Sequence, residues 1–114
     1  MTRFELNGHT WDVIFVEPHD HRLVDRTGEI RVATTDPKTR CIYLSQDLHG
    51  TFLRKVLIHE LSHCAMVSYD LLGDIHRMTK QRYWVEAEEW VCNFLADYSF
   101  DLLSIANDIL LEVL

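Results

Sequence analysis

Residues 52–65 read FLRKVLIHELSHCA, and the pentapeptide HELSH at residues 59–63 decides the fold prediction. Apolar residues recur around it at intervals of three and four, which predicts a helix with Thr51 as its N-cap that ends near Val67. Two histidines four residues apart on a helix lie on one face, one turn apart, where both imidazoles can bind a single metal ion. The stretch therefore predicts a metal site on a helix.

The glutamate of this H-E-x-x-H motif gives the predicted site its chemistry. Zinc lowers the pKa of a bound water from about 16 to about 7, and a neighbouring carboxylate can then take its proton as general base. The motif thus predicts Zn²⁺ bound by His59 and His63, with Glu60 as the catalytic residue. A chance occurrence of the motif is the alternative, and it is disfavoured because two imidazoles in an apolar stretch are costly to bury without partners.

A catalytic zinc ion needs a third protein ligand and an open fourth position. The candidates downstream are Glu86, Glu88, Glu89, His76, Cys64 and Asp70. Glu89 is best placed, because Cys92 and Ala96 follow it on the same helix face and small residues let two helices approach closely. The helical pattern favours Glu89 only slightly, and Glu88 stays open as the alternative.

Short segments rich in aromatic and β-branched residues predict the strands, at residues 11–17, 28–34 and 40–44. The short turns between them, one marked by Asp36 and Pro37, indicate an antiparallel meander. Helical periodicity then predicts two more helices, over 81–98 and from Ser99 to the C-terminus. We expect one α+β domain over residues 1–114, with a small antiparallel three-stranded sheet followed by three helices. Its strand at 40–44 offers an edge for an extended peptide.

The C-terminal part of the chain is both acidic and apolar. The net charge is −7, and residues 83–114 hold seven acidic side chains and no Lys or Arg. An acidic surface repels phosphate, so we expect no nucleic-acid partner. The last predicted helix is apolar over about two-thirds of its circumference, more than one buried stripe requires. We expect it to be buried on two sides within the domain, with packing against another chain as the alternative.

Targeting signals are absent from the sequence. Residues 1–10 lack the basic and apolar segments of a secretory signal, and no apolar stretch approaches the ~20 residues of a membrane span. We therefore expect a cytoplasmic protein without a membrane partner. The three cysteines, Cys41, Cys64 and Cys92, are expected to be reduced residues of the core.

Three segments together resemble the ImmA/IrrE family of metallopeptidases, which is common in phages and mobile elements. They are HELSH, the apolar run KVLIH at residues 55–59, and EWVCNFLA at residues 89–96, which is similar to the family's E-x-x-A/C-N-x-F-A. The resemblance covers roughly residues 28–98 and implies a zincin-like domain of the gluzincin type, with H-E-x-x-H on its first helix. It implies His59, His63 and Glu89 as the zinc ligands and Glu60 as the catalytic acid and base.

Members of that family cleave repressor-like regulators, so the resemblance implies a zinc-dependent endopeptidase with a protein substrate such as a transcriptional regulator. Two other hypotheses belong to different classes. One is a zinc-stabilised protein-binding module without peptidase activity, which holds a partner with its acidic C-terminal helices. The other is an interaction protein without metal.

Overall fold

The computed structural model describes residues 2–113 of the chain. These residues contain four strands and three α-helices. The strands are β1 (Thr2–Leu6), β2 (His9–Val16), β3 (Ala33–Asp36) and β4 (Cys41–Ser45). The helices are α1 (Gly50–Ser68), α2 (Leu72–Arg77) and α3 (Trp84–Val113). Single 3-10 turns lie at His21–Leu23 and Gln81–Tyr83. This order confirms the predicted α+β class.

The strands form one mixed sheet in the order β1-β2-β4-β3. The outer pairs β1–β2 and β3–β4 are antiparallel, whereas the central strands β2 and β4 are parallel. The predicted three-stranded antiparallel sheet is therefore wrong in strand number and in direction. The connection from β2 to β4 is long enough to return the chain to the same end of the sheet, which a parallel pair requires. Strand β3 is consequently the edge strand beside α1, and β4 lies inside the sheet.

Strand β1 was not predicted, although the sequence carries a signal for it. Asn7 and Gly8 connect β1 to β2 with φ angles of 49° and 79°. An Asn-Gly pair with two positive φ angles is typical of the tight turn of a two-residue β-hairpin. Phe4 and Leu6 alternate with polar residues in β1 and pack against the core.

The strand predicted at 28–34 begins only at Ala33. The residues before it form a loop that is held by the side chain of Asp25, whose carboxylate accepts hydrogen bonds from the N–H groups of Thr27 and Glu29. Because these N–H groups donate to the Asp25 side chain, they cannot donate to a neighbouring strand. The turn predicted at Asp36 and Pro37 is confirmed, and it joins β3 to β4.

One face of the sheet packs against α1 and encloses the core. Its buried residues are Trp11, Val13, Ile42, Leu44, Leu48 and Cys64. The indole N–H of Trp11 donates to the hydroxyl oxygen of Ser68 at 2.8 Å, and Asn7 donates to the Ser68 carbonyl, also at 2.8 Å. These bonds fix the last turn of α1 on the sheet. The predicted helix is thus confirmed and ends one residue beyond Val67, whereas the predicted N-cap is wrong, because the helix begins at Gly50 with His49 as its N-cap.

The two helices predicted over 81–98 and from Ser99 onward are one helix, α3, of 30 residues. No Gly or Pro occurs between residues 84 and 113, so nothing in the sequence ends the helix at Ser99. It packs against α1 and α2. Residues 100–113 are all exposed, so the expected burial on two sides does not occur within the described chain. Within residues 2–113 no helix has both the length and the apolar character needed to cross a membrane.

Candidate metal centre

Two imidazoles of α1 point at each other across one helical turn. The Nε2 atoms of His59 and His63 lie 3.2 Å apart, and the ring planes meet at 68°. Both side chains are mostly buried, with exposed fractions of 20% and 23%. The i, i+4 spacing thus brings the two rings together on the face that α1 turns toward α3.

Glu89, on α3, supplies a carboxylate to this pair. Its Oε2 lies 3.1 Å from Nε2 of His59, and its Oε1 lies 3.0 Å from Nε2 of His63. The two helices can approach this closely because Cys92 and Ala96, on the same side of α3, are small and buried. Glu89 is also 44% exposed, so one side of the cluster faces solvent.

Glu88, the rival of Glu89 in the sequence pattern, has a different partner. Its Oε1 lies 2.6 Å from Nε2 of His76, whose ring stacks on Trp84 with centroids 4.1 Å apart. The indole N–H of Trp84 donates to the carbonyl of His76, so the group joins α2 to the start of α3. Glu88 and His76, both candidates for the third ligand, are therefore engaged with each other.

The remaining candidates lie elsewhere. Glu86 and Asp70 are exposed, and Cys64 is fully buried in the core under the sheet. The structure thus brings together His59, His63 and Glu89 from the predicted set.

The atoms of this cluster also have the spacing of ligands around a single cation. Each neutral imidazole has one N–H, yet the Nε2 atoms of His59 and His63 face each other as well as the Glu89 carboxylate. Ligand atoms about 2.0–2.1 Å from an ion at tetrahedral angles lie about 3.3 Å apart. The observed separations of 3.0–3.2 Å are close to that value. A bound cation would satisfy all three lone pairs at once.

Cys92 is a further possible ligand, although its sequence context indicated a small packing residue. Its Sγ and the ring nitrogens of His59 and His63 lie within 4.8 Å of one another, so these three residues form a possible metal-binding group. Burial raises the pKa of the Cys92 thiol to about 12. Its position three residues after Glu89 was the signal that could have identified it, because both residues then face the same neighbour.

Glu60 lies beside the histidine pair and is buried, with 7% of its surface exposed. Its Oε1 accepts a hydrogen bond from the hydroxyl of Thr35 at 2.8 Å, and its Oε2 lies 3.9 Å from Nε2 of His59. The predicted catalytic residue is thus adjacent to the predicted ligands without taking a ligand's position between them.

The charges of the cluster are strongly coupled. Hydrogen bonds from His59 and His63 hold the pKa of the Glu89 carboxyl well below its usual range. The same contact with Glu89, aided by the charge of Glu60 and opposed by burial, raises the pKa of His59. Without a cation the site therefore favours a protonated imidazole beside an ionised carboxylate, and a metal ion must displace that proton.

Neither a protein-family model nor a curated protein matches this sequence.

Glu89→Gln tests which glutamate completes the centre. Zinc affinity should fall by more than about 100-fold, because losing a direct ligand costs more than the 10–100-fold typical of residues behind the ligands. Glu88→Gln is the matched control and should still bind one zinc ion per chain. Competition with a chromophoric chelator measures both affinities. If instead the Glu88→Gln protein binds no zinc and the Glu89→Gln protein binds one ion per chain, Glu88 and not Glu89 is the third ligand.

The coupled charges also predict opposite pH dependences with and without metal. In the metal-free protein, with chelator present, the ionised Glu89 carboxylate stabilises the fold above its ordinary pKa of 4.5. This stabilisation is lost as the pH falls through the lowered pKa of the folded protein. The His59 contribution is present below its ordinary pKa of 6.5 and is lost as the pH rises through its raised value. The difference in Tm between wild type and Glu89→Gln should therefore be largest between these two values. Stabilisation by added zinc should instead grow with pH, because protons compete for the imidazoles.

Thermal unfolding from about pH 4 to about pH 8, in chelator and in zinc, measures both trends. If the difference between the chelated proteins keeps growing at alkaline pH, the His59–Glu89 contact does not have the assigned charges.

Proposed function

We propose that the protein is a zinc-dependent endopeptidase, with a zincin-like site of the kind that the resemblance to the ImmA/IrrE family implies. The observation that carries the proposal is the convergence of His59, His63 and Glu89 beside the buried carboxylate of Glu60. Two imidazoles and one carboxylate are a common ligand set of catalytic zinc, and the exposed side of Glu89 leaves room for a substrate.

Each residue has a distinct task in peptide hydrolysis. His59, His63 and Glu89 hold the ion. When bound here, zinc supplies Lewis acidity, which lowers the pKa of a coordinated water and polarises the scissile carbonyl. Glu60 takes a proton as the water oxygen bonds to the carbonyl carbon, and it delivers a proton to the amine nitrogen as the C–N bond breaks. The carboxylate starts and ends the cycle ionised.

A cleft beside the centre offers the substrate a place to bind. It has a volume of about 280 Å³ and is enclosed by α1, by α3 and by residues 32–33 at the start of β3. His59 and Glu60 line one end, while Val32, Phe52 and Val56 give it an apolar wall. Ala33, the first residue of the edge strand β3, also lines the cleft, so an extended peptide in the cleft would lie beside this strand, the role predicted for the strand at 40–44.

The resemblance and the cleft together support a protein segment as the substrate. An extended backbone on β3 and an apolar side chain against Phe52 suit an unfolded or flexible segment of a protein. A repressor-like transcriptional regulator, which the family resemblance implies, contains such segments between its domains. We place the reaction in the cytoplasm, where such regulators act.

A second candidate function, the zinc-stabilised protein-binding module, is favoured by the position of Cys92. Its Sγ forms a possible metal-binding group with His59 and His63, and with Glu89 as a fourth ligand no position would be left for a substrate. Closed sites of this kind contribute folding free energy rather than catalysis. The exposed apolar side chains at residues 100–113 would then hold the partner.

Glu60→Gln tests the peptidase. The change preserves the shape of the side chain and all four candidate ligands but removes the base, so turnover should fall by about 10²–10⁴ while zinc stays bound. Zinc-loaded protein is assayed against a library of internally quenched peptides, with chelator as a blank. Glu86→Gln, on the exposed side of α3, is the control and should retain wild-type turnover. Equal cleavage by wild type and Glu60→Gln would remove Glu60 from the mechanism.

Cobalt substitution separates the two candidate functions. In the peptidase, Cys92 does not bind the ion, so the cobalt protein should lack thiolate-to-cobalt charge-transfer absorption and Cys92→Ala should keep its metal and its turnover. Cys64→Ala controls for the loss of a buried thiol, because both cysteines are fully buried. A charge-transfer band that disappears in Cys92→Ala but persists in Cys64→Ala would favour the closed, structural site.

A further inference from the structure

The two carboxylate oxygens of Glu60 have different surroundings. Oε1 accepts the hydroxyl hydrogen of Thr35 at 2.8 Å, whereas Oε2 faces the ring of His59, with its Nε2 at 3.9 Å. Only 9% of the Glu60 side chain is exposed, so water cannot readily replace the Thr35 bond. A buried carboxylate that lost this donor would keep its charge without compensation. The bond therefore determines which oxygen points toward the metal ligands.

Thr35 is well suited to fix this orientation. It lies in β3, where its backbone is paired with Ile42 of β4. Two branches on its Cβ restrict χ1, so the hydroxyl is held in place by the strand rather than by a flexible side chain. The terminal torsion of a glutamate is broad and allows the carboxylate to turn unless a partner holds it. Thr35 supplies that partner from a separate element of the fold.

The neighbouring Thr34 shows that this contact is specific to one face of β3. Successive residues of a strand point to opposite faces. The hydroxyl of Thr34 accordingly donates to the backbone carbonyl of Arg22 at 2.6 Å, on an exposed part of the surface. The hydroxyl groups of these two consecutive threonines thus donate one hydrogen bond each, and only the bond from Thr35 reaches the candidate site.

We infer that Thr35 is a positioning residue, which holds the Glu60 carboxylate with Oε2 toward the His59–His63–Glu89 cluster. This inference rests on the proposed function, because it assigns to Glu60 the transfer of a proton. It adds a link that the H-E-x-x-H motif does not contain. A substrate that pairs with the edge of β3 binds to the strand that orients the base, so the peptide backbone and the proton acceptor are aligned by one element.

Three variants test the inference by kinetics. Thr35→Val removes the hydroxyl at nearly constant volume, Thr35→Ser retains it, and Thr34→Val removes a hydroxyl from the other face of the same strand. With the best peptide from a quenched-peptide library, Thr35→Val should lower kcat by about 10–100-fold with little change in KM or zinc content. Thr35→Ser should recover most of kcat, and Thr34→Val should resemble wild type.

The control distinguishes the Glu60 bond from a general disturbance of β3. If substrate pairing with the strand were the cause, Thr34→Val and Thr35→Val would both raise KM. A Thr35→Val protein with wild-type kcat, or equal losses in the two valine variants, would overturn the inference.

A thermal double-mutant cycle on chelated protein tests the contact without relying on activity. Thr35→Val should lower Tm by about 4–8 °C or more, because a buried carboxylate loses its donor. In a Glu60→Leu background the same change should have almost no effect, since the carboxylate is gone. Additive effects would overturn the inference. If wild type shows no zinc-dependent hydrolysis, the proposed function fails by itself, and the cycle still decides whether Thr35 holds Glu60.

Discussion

The close approach of α1 and α3 is the constraint on which the candidate site depends. An ion with ligand distances near 2 Å can be shared by two helices only if their backbones come unusually close together. Cys92 and Ala96 make this possible on α3, because neither side chain keeps the helices apart. Trp11 determines the position of α1, because its hydrogen bond to Ser68 fixes the end of that helix on the sheet. The sheet thus places α1, and the small residues of α3 place Glu89.

Helix α1 carries a conflict between its local sequence and its surroundings. Glu60 is buried between apolar turns, and the two histidines beside it are mostly buried, although each of these groups is costly to remove from water. The structure compensates with three contacts: Glu89 for the two imidazoles and Thr35 for Glu60. A core built for stability alone would use apolar residues at these positions. Such local violations of otherwise consistent folding rules are expected at functional sites.

The meeting of His59 and His63 could be predicted from the sequence and the pairing of the strands could not, because the two depend on interactions of different range. The spacing of His59 and His63 on a helix determines that their rings meet, whatever the rest of the chain does. Helical spacing could not decide whether Glu88 or Glu89 faces the two histidines, because neighbouring residues lie only about 100° apart around the helix axis. The structure distinguishes them through His76, which lies on a different helix and takes Glu88 as its partner.

Strand direction and pairing were harder to predict, since they are not local properties. Whether β2 lies beside β4 and parallel to it depends on where the connecting chain runs, and alternation of apolar residues contains no information on that path. The turn at Asn7 and Gly8 was a local signal and could have revealed β1. Thr35 could not be recognised as a partner of Glu60 from 25 residues away, because the contact exists only once β3 is the edge strand next to α1.

The continuity of α3 connects the candidate site to the exposed end of the molecule. A helix of 30 residues is about 45 Å long, close to the longest dimension of the molecule, 49 Å. Apolar periodicity indicated which side chains of its last turns could be buried, but burial also requires a partner surface, and residues 2–99 provide none for most of residues 100–113. Because no Gly or Pro interrupts the helix, its exposed half cannot turn independently of the half that carries Glu89. Any molecule that covers residues 100–113 is therefore held at a fixed distance and orientation from the His59–His63–Glu89 cluster.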